Sequence, residues 1–254
     1  MKKRLTRFLP FLLAFTIALP SYSVFAEEEN QTKEPQTNET QAKEATANDT
    51  LSLAAETAVL IDAASGEILY DKDADKKMYP ASITKLMTIL LALENGKLTD
   101  EITFSHDAVY NIEPGSAHIA ILEGETLTLE QVLRAIILRS ANEASNGVAE
   151  YVDGSVEAFA KHMTERAKEL GCTNTNFVNA NGLFDENHYT TAHDMALIAR
   201  ELLKHEEYRS MMSETDYEIP PTNLQTETRY LHGQHQMLNP NSIYYYKDAI
   251  GGKT

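Results

Sequence analysis

Ser82-Ile83-Thr84-Lys85 sets a hydroxyl and an amine three positions apart, a spacing that brings two side chains to one face of a helix. A serine hydroxyl is a weak nucleophile until a base stands beside it, and the candidate base here is a lysine. For Lys85 to accept a proton near neutrality its pKa must fall from about 10.4 by some three units, on the order of 4 kcal/mol of differential stabilisation. Burial and a second nearby ammonium produce such a fall. Two more strings follow in order, Ser140-Ala141-Asn142 and then Lys253-Thr254 at the last two positions. Together the three strings are the parts of a serine acyl-transfer site, with Lys253 as the second ammonium.

Each string alone has a plainer explanation. Ser82 and Lys85 could be an N-cap and a solvated lysine, Ser140 a helix-end residue, and Asn142 a local capping group. Ser-x-x-Lys, Ser-x-Asn and Lys-Thr each occur once and in the required order, which favours the chemical reading. His188, His193 and Asp194 invite a Ser-His-Asp triad, but Thr191 and Asp194 are explained by capping a helix start. His232 and His235 lack the carboxylate or cysteine spacing of a metal site and read as loop residues. Cys172, the single cysteine, reads as a small buried apolar group. No cofactor is called for.

The elements that must position these groups begin after a leader. Lys2, Lys3, Arg4 and Arg7 precede an apolar run from Phe8 to Leu19 and small residues up to Ala26, the pattern of a secretory signal over residues 1–26. The run contains Pro10 and is shorter than the roughly 20 residues that span a bilayer. Removing it takes four positive and no negative charges from a formal −16, leaving −20. So acidic a surface argues against nucleic acid and suits a soluble exported protein. Residues 27–50 are Glu, Gln, Thr, Asn and Lys with little to bury, a disordered acidic linker. The folded domain is expected over 51–254.

Within it, Ala58-Val59-Leu60-Ile61 and Ile68-Leu69-Tyr70 flank a Ser-Gly turn and predict a β-hairpin. Ile83, Leu86, Met87, Leu90, Leu91 and Leu93 cover most faces of a helix that starts at Ser82 and stops at Gly96, so that helix is buried. Thr128 with Gln131 forms a capping box ahead of a helix ending near Arg139, which places Ser140-Ala141-Asn142 at its exit. Ser155 caps a helix closed by Gly171, Thr191 caps another running through Leu203, and Pro220-Pro221 forbids helix beyond it.

Further strings complete the pattern: Pro80-Ala81 before Ser82, Glu143-Ala144-Ser145 after Asn142, Asn179-Ala180-Asn181-Gly182-Leu183, His188 to Ala196, and Asp248-Ala249-Ile250-Gly251-Gly252 before Lys253. On these the chain, from about Glu56 to Thr254, resembles the low-molecular-mass penicillin-binding proteins, the serine-type D-alanyl-D-alanine carboxypeptidases. The resemblance implies an α+β, β-lactamase/transpeptidase-like fold. It also implies roles: Ser82 attacks the penultimate D-alanine carbonyl of a peptidoglycan stem peptide and Lys85 takes its proton. Ser140 relays a proton to the leaving D-alanine, Asn142 hydrogen-bonds the substrate backbone, and Lys253 with Thr254 holds the terminal carboxylate. β-Lactams would acylate the same serine.

Family members continue past Lys-Thr with glycine and more strands, and many add a membrane-binding helix. The expected fold is therefore incomplete: an N-terminal hairpin, a helical subdomain and the beginning of one more strand. Low stability and impaired turnover follow as expectations, with the Thr254 carboxylate competing for Lys253 and one oxyanion donor missing. Membrane contact would come only through segments absent here. The implied location is the outer face of the cytoplasmic membrane. Rival readings are a non-catalytic wall-binding or β-lactam-sensing fragment and a β-lactamase, the last disfavoured because no Glu-x-x-Leu-Asn string is present.

Overall fold

In the computed structural model, which describes residues 52–253, the hairpin forms from Ala58–Ile61 (β1) and Ile68–Lys72 (β2), paired antiparallel with an irregularity after Leu60. Its turn is built by Asp62, whose Oδ1 accepts from the Ala64 and Ser65 N–H groups. The leader, the linker and Thr254 lie outside the described residues. Those described fall within one compact unit.

Chain entry to the first long helix differs from the expectation. Ala81–Thr84 is a 3-10 turn, and the α-helix (α1) runs from Lys85 to Asn95 with Gly96 at its end. Three residues per turn put positions i and i+3 in line, so the tighter winding aligns Ser82 with Lys85. Ser82 makes no N-cap bond there. Met87, Ile89, Leu90, Leu91 and Ala92 have no exposed surface, so α1 is the buried helix its sequence predicts.

Glu101–Thr103 (β3) and Thr126–Thr128 (β4) form a ribbon, with the short helix His106–Tyr110 (α2) between them. Strand β4 leads into Leu129–Arg139 (α3), opened by the capping box of Thr128 and Gln131. Asn142–Asp153 (α4) follows after two residues, then Val156–Glu169 (α5) behind the Ser155 cap. Thr191 caps Ala192–Leu202 (α6) by accepting from the Asp194 N–H. Glu206–Met212 (α7) precedes the antiparallel pair Asp216–Ile219 (β5) and Arg229–His232 (β6).

Helix α1 sits at the centre, packed by α3, α4, α5 and α6. Helix α4 reaches the core through Gly147, where an added Cβ would lie 2.3 Å from the Phe104 ring. Arg200 on α6 donates to Ala63 O and Ala64 O, tying the hairpin turn to the helical body. Residues 248–253, expected to begin another strand, form none; no described strand lies alongside to complete a ladder.

Candidate active site

The α3–α4 junction turns sharply because Ser140 adopts the left-handed conformation, φ 57° and ψ 31°. Ala81, next to Ser82, is also left-handed, with φ 47°. Such residues cost on the order of 1 kcal/mol or more and persist where the surroundings impose them. Both therefore mark the strings singled out in the sequence.

Lys85 is fully buried at the meeting point. Its Nζ lies 3.1 Å from Ser82 Oγ, 2.7 Å from Asn142 Oδ1 and 2.5 Å from the Asn181 carbonyl oxygen. An ammonium fills all three contacts as donor. A neutral amine keeps two N–H donors for Asn142 and Asn181 and turns its lone pair on the Ser82 hydroxyl. Burial, reinforced by the charge of Lys253 and opposed by Glu143, brings the Lys85 pKa down to about 7. The neutral form is thus accessible at ordinary pH, as a general base requires.

Lys253 Nζ donates to Ser140 Oγ at 3.0 Å, and burial lowers its pKa to about 8. Ser82, Lys85, Ser140, Asn142 and Lys253 therefore join through two short hydrogen-bonded groups linked by the Ser140–Asn142 turn. Thr254 lies outside the described residues. Asn142 presents its carbonyl oxygen to Lys85, while its Nδ2 has no hydrogen-bond partner among the described residues.

The third ligand of Lys85 is one the sequence reading did not assign. Asn181 sits in a loop folded by Asn179, whose Oδ1 accepts from the Gly182 N–H at 2.7 Å and whose Nδ2 donates to Leu183 O. Thr88 donates to Ala180 O, and Asn181 Nδ2 donates to Asn146 Oδ1 on α4. Gly182, with φ +85°, packs so closely that a Cβ would lie 1.9 Å from Ala81 O. The Asn-Gly pair was the available signal.

His188 is not a proton carrier. Its Nδ1 accepts the Val178 N–H, so Nε2 bears the hydrogen and donates to Thr84 Oγ1 at 2.7 Å. Burial lowers its pKa to about 4, leaving it neutral. Asp194 accepts from Asn174 N and Thr175 Oγ1, and His193 meets Asp75. His232 pairs with Asp216. The Cys172 thiol, buried and pushed up to about 12, is inert.

A family model described as D-alanyl-D-alanine carboxypeptidase matches residues 40–254. The chain belongs to the D-alanyl-D-alanine carboxypeptidase family. Within that family it is 43% identical over 161 residues to the D-alanyl-D-alanine carboxypeptidase DacF of Bacillus subtilis, covering 61% of this chain and 41% of that protein. The DacA carboxypeptidase of Haemophilus influenzae is 33% identical over 216 residues, covering 82% of this chain and 51% of its own. The chain thus spans about half the length, or less, of these curated relatives. Among solved structures, penicillin binding protein 5 from Haemophilus influenzae superposes with a TM-score of 0.66 at 28% identity, over 74% of this chain and 54% of that one. The likeness establishes the penicillin-binding carboxypeptidase fold.

Proposed function

We propose that this chain carries the acylating half-site of an exported serine D-Ala-D-Ala carboxypeptidase that removes the terminal D-alanine of peptidoglycan stem peptides. The observation that supports it most is the buried Lys85 amine, 3.1 Å from Ser82 Oγ and brought down to about 7. Ser82 Oγ bonds to the penultimate D-alanine carbonyl carbon as its proton passes to Lys85 Nζ. The carbon–nitrogen bond then breaks, and the leaving amine takes that proton from Lys85 through the Ser140 hydroxyl, which Lys253 holds by donating to it. Water adds to the ester, releasing the shortened peptide and restoring the Ser82 hydroxyl. Lys253, cationic below about pH 8, attracts the substrate carboxylate, with Thr254 beside it in sequence. Asn142 Nδ2 hydrogen-bonds the substrate backbone.

A β-lactam enters the same reaction, its ring carbonyl becoming the Ser82 ester. Residues 1–26 act as the export signal and 27–50 as the linker that sets the domain outside the cytoplasmic membrane. The test is labelling by a fluorescent penicillin together with release of D-alanine from a diacyl-Lys-D-Ala-D-Ala peptide. Label on Ser82 that disappears in Ser82→Ala supports the site, and D-alanine release establishes turnover. Label without release leaves a β-lactam sensor, and absence of both overturns the reading.

A further inference from the structure

Glu143 follows Asn142 in the first turn of α4, is 1% exposed, and takes no part in the steps above. Its Oε1 accepts the Ile119 N–H at 2.7 Å. One residue earlier, the Asn142 N–H donates to Ala117 O at 2.9 Å. These two bonds stitch the 117–119 segment to the start of α4. The side chain so anchored is Asn142, whose Oδ1 lies 2.7 Å from Lys85 Nζ.

Burying a carboxyl is costly unless its oxygens are satisfied. Burial raises the Glu143 pKa, while the backbone amides of Ile119, Glu143 and Ile121 and the charge of His118 act against the rise. The first turn of a helix also favours negative charge. Yet Oε2 has no hydrogen-bond partner of ordinary geometry among the described residues, and Glu143 borders a cavity of about 310 Å³ shared with His118, Tyr110 and Glu113. An apolar residue would fill this position with less penalty but could not accept the Ile119 N–H, as Oε1 does.

We propose that Glu143 is a positioning residue for acylation: its carboxyl group clamps the 117–119 segment to the first turn of α4 and thereby holds Asn142 against Lys85. The proposal rests on the roles given to Ser82 and Lys85 above. The clamp acts through a neighbour, so its removal slows the chemical step without touching the reacting atoms. It also makes the effects of Glu143 and Asn142 overlap.

The test is a double-mutant cycle on the full chain, reading the acylation rate with fluorescent penicillin and melting temperature for each variant. Glu143→Ala is expected to slow acylation about tenfold or more. Glu143→Gln keeps an oxygen for the Ile119 N–H and recovers to within about threefold of the parent. In an Asn142→Ala background, Glu143→Ala adds less than about a twofold further loss. Should Glu143→Ala not fold, Glu143→Asp, one methylene short of Ile119, takes its place in the cycle. Acylation by Glu143→Ala at the parent rate, a Gln variant as slow as the Ala variant, or losses that multiply across the cycle would each overturn the clamp. A parent chain that takes no label, matching its Ser82→Ala control, would instead sink the serine reading itself.

Discussion

The backbone carbonyl of Asn181 accepts a hydrogen bond from Lys85 Nζ at 2.5 Å, across 96 residues of sequence. A carbonyl has no protonation state to lose, so this contact orients the lysine in both its charged and neutral forms. Together with Asn142 it consumes two N–H groups and leaves the third position of the amine for Ser82.

Gly182 makes that orientation possible, which gives the first prediction. Gly182→Ala introduces a Cβ against Ala81 O at 1.9 Å and does so at φ +85°. Both the loop and the 3-10 turn must shift, moving Asn181 and Ser82 together. The expected cost is about 2 kcal/mol or more, with loss of most acylation. Thermal melting and penicillin labelling of the variant check this. A variant that melts and labels like the parent would show that the close approach is not required.

The two lysines predict a bell-shaped pH profile for acylation. Lys85 must be neutral, so the rate rises as pH passes about 7; Lys253 must be charged, so it falls as pH passes about 8. Lys253→Met removes a positive charge that lowers the Lys85 pKa, so the Lys85 pKa rises. The acid limb should then move to higher pH and the alkaline limb should vanish. Rates of β-lactam acylation between pH 5 and pH 10 measure both, and an acid limb that stays put would contradict the electrostatic coupling.

Much of this arrangement was readable from local sequence because its signals are local. The hairpin, the Thr128–Gln131 capping box, and the Ser155 and Thr191 caps are each encoded within a few residues, and all appear in the structure. Helix α4 was not anticipated, because Asn142 to Gly147 is buried yet reads Asn-Glu-Ala-Ser-Asn-Gly, without an apolar stripe to count. Its burial comes from tertiary partners such as Phe104 against Gly147. The ribbons β3–β4 and β5–β6 and the helices α2 and α7 are short, and their order comes from packing. Asn181 escaped assignment for another reason: it meets Lys85 through its backbone carbonyl, so the contact is not written in its residue type, and only the Asn-Gly pair marked the loop. The 3-10 start of the first helix likewise involves a long-range contact, the close approach of Ala81 O to Gly182, which has no Cβ to block it.

Keeping Lys85 buried is a load on the fold, and the sign can be tested. The unfolded chain holds the lysine proton up to about pH 10.4, while the folded one releases it near 7. Between those values the unfolded state binds more protons, so stability rises with pH across this window. Lys85→Met should abolish acylation yet raise stability at pH 7 and below by on the order of 1 kcal/mol or more. Each kcal/mol corresponds to about 2–4 °C in melting temperature for a domain of this size. A lower melting temperature at pH 6 would mean that the hydrogen bonds of Lys85 outweigh its burial.

His188 sets the acid limit of the scaffold rather than of the chemistry. It joins Thr84, in the turn that carries Ser82, to Val178 in the loop leading to Asn181. Protonating Nδ1 would confront the Val178 N–H with a second donor and bury a charge. The folded pKa is about 4 against 6.5 for the ordinary imidazole. Between these values the unfolded state binds the proton and the folded state does not. The contribution is therefore fully present above about pH 6.5 and lost as pH falls towards 4, by on the order of 3 kcal/mol. His188→Gln should lose that part of the pH dependence, flattening melting temperature between pH 6.5 and 4 relative to the parent. It should also lower stability at pH 7, because no glutamine amide can bridge both partners across the width of an imidazole ring. An unchanged slope in the variant would assign the acid sensitivity to the carboxylates instead.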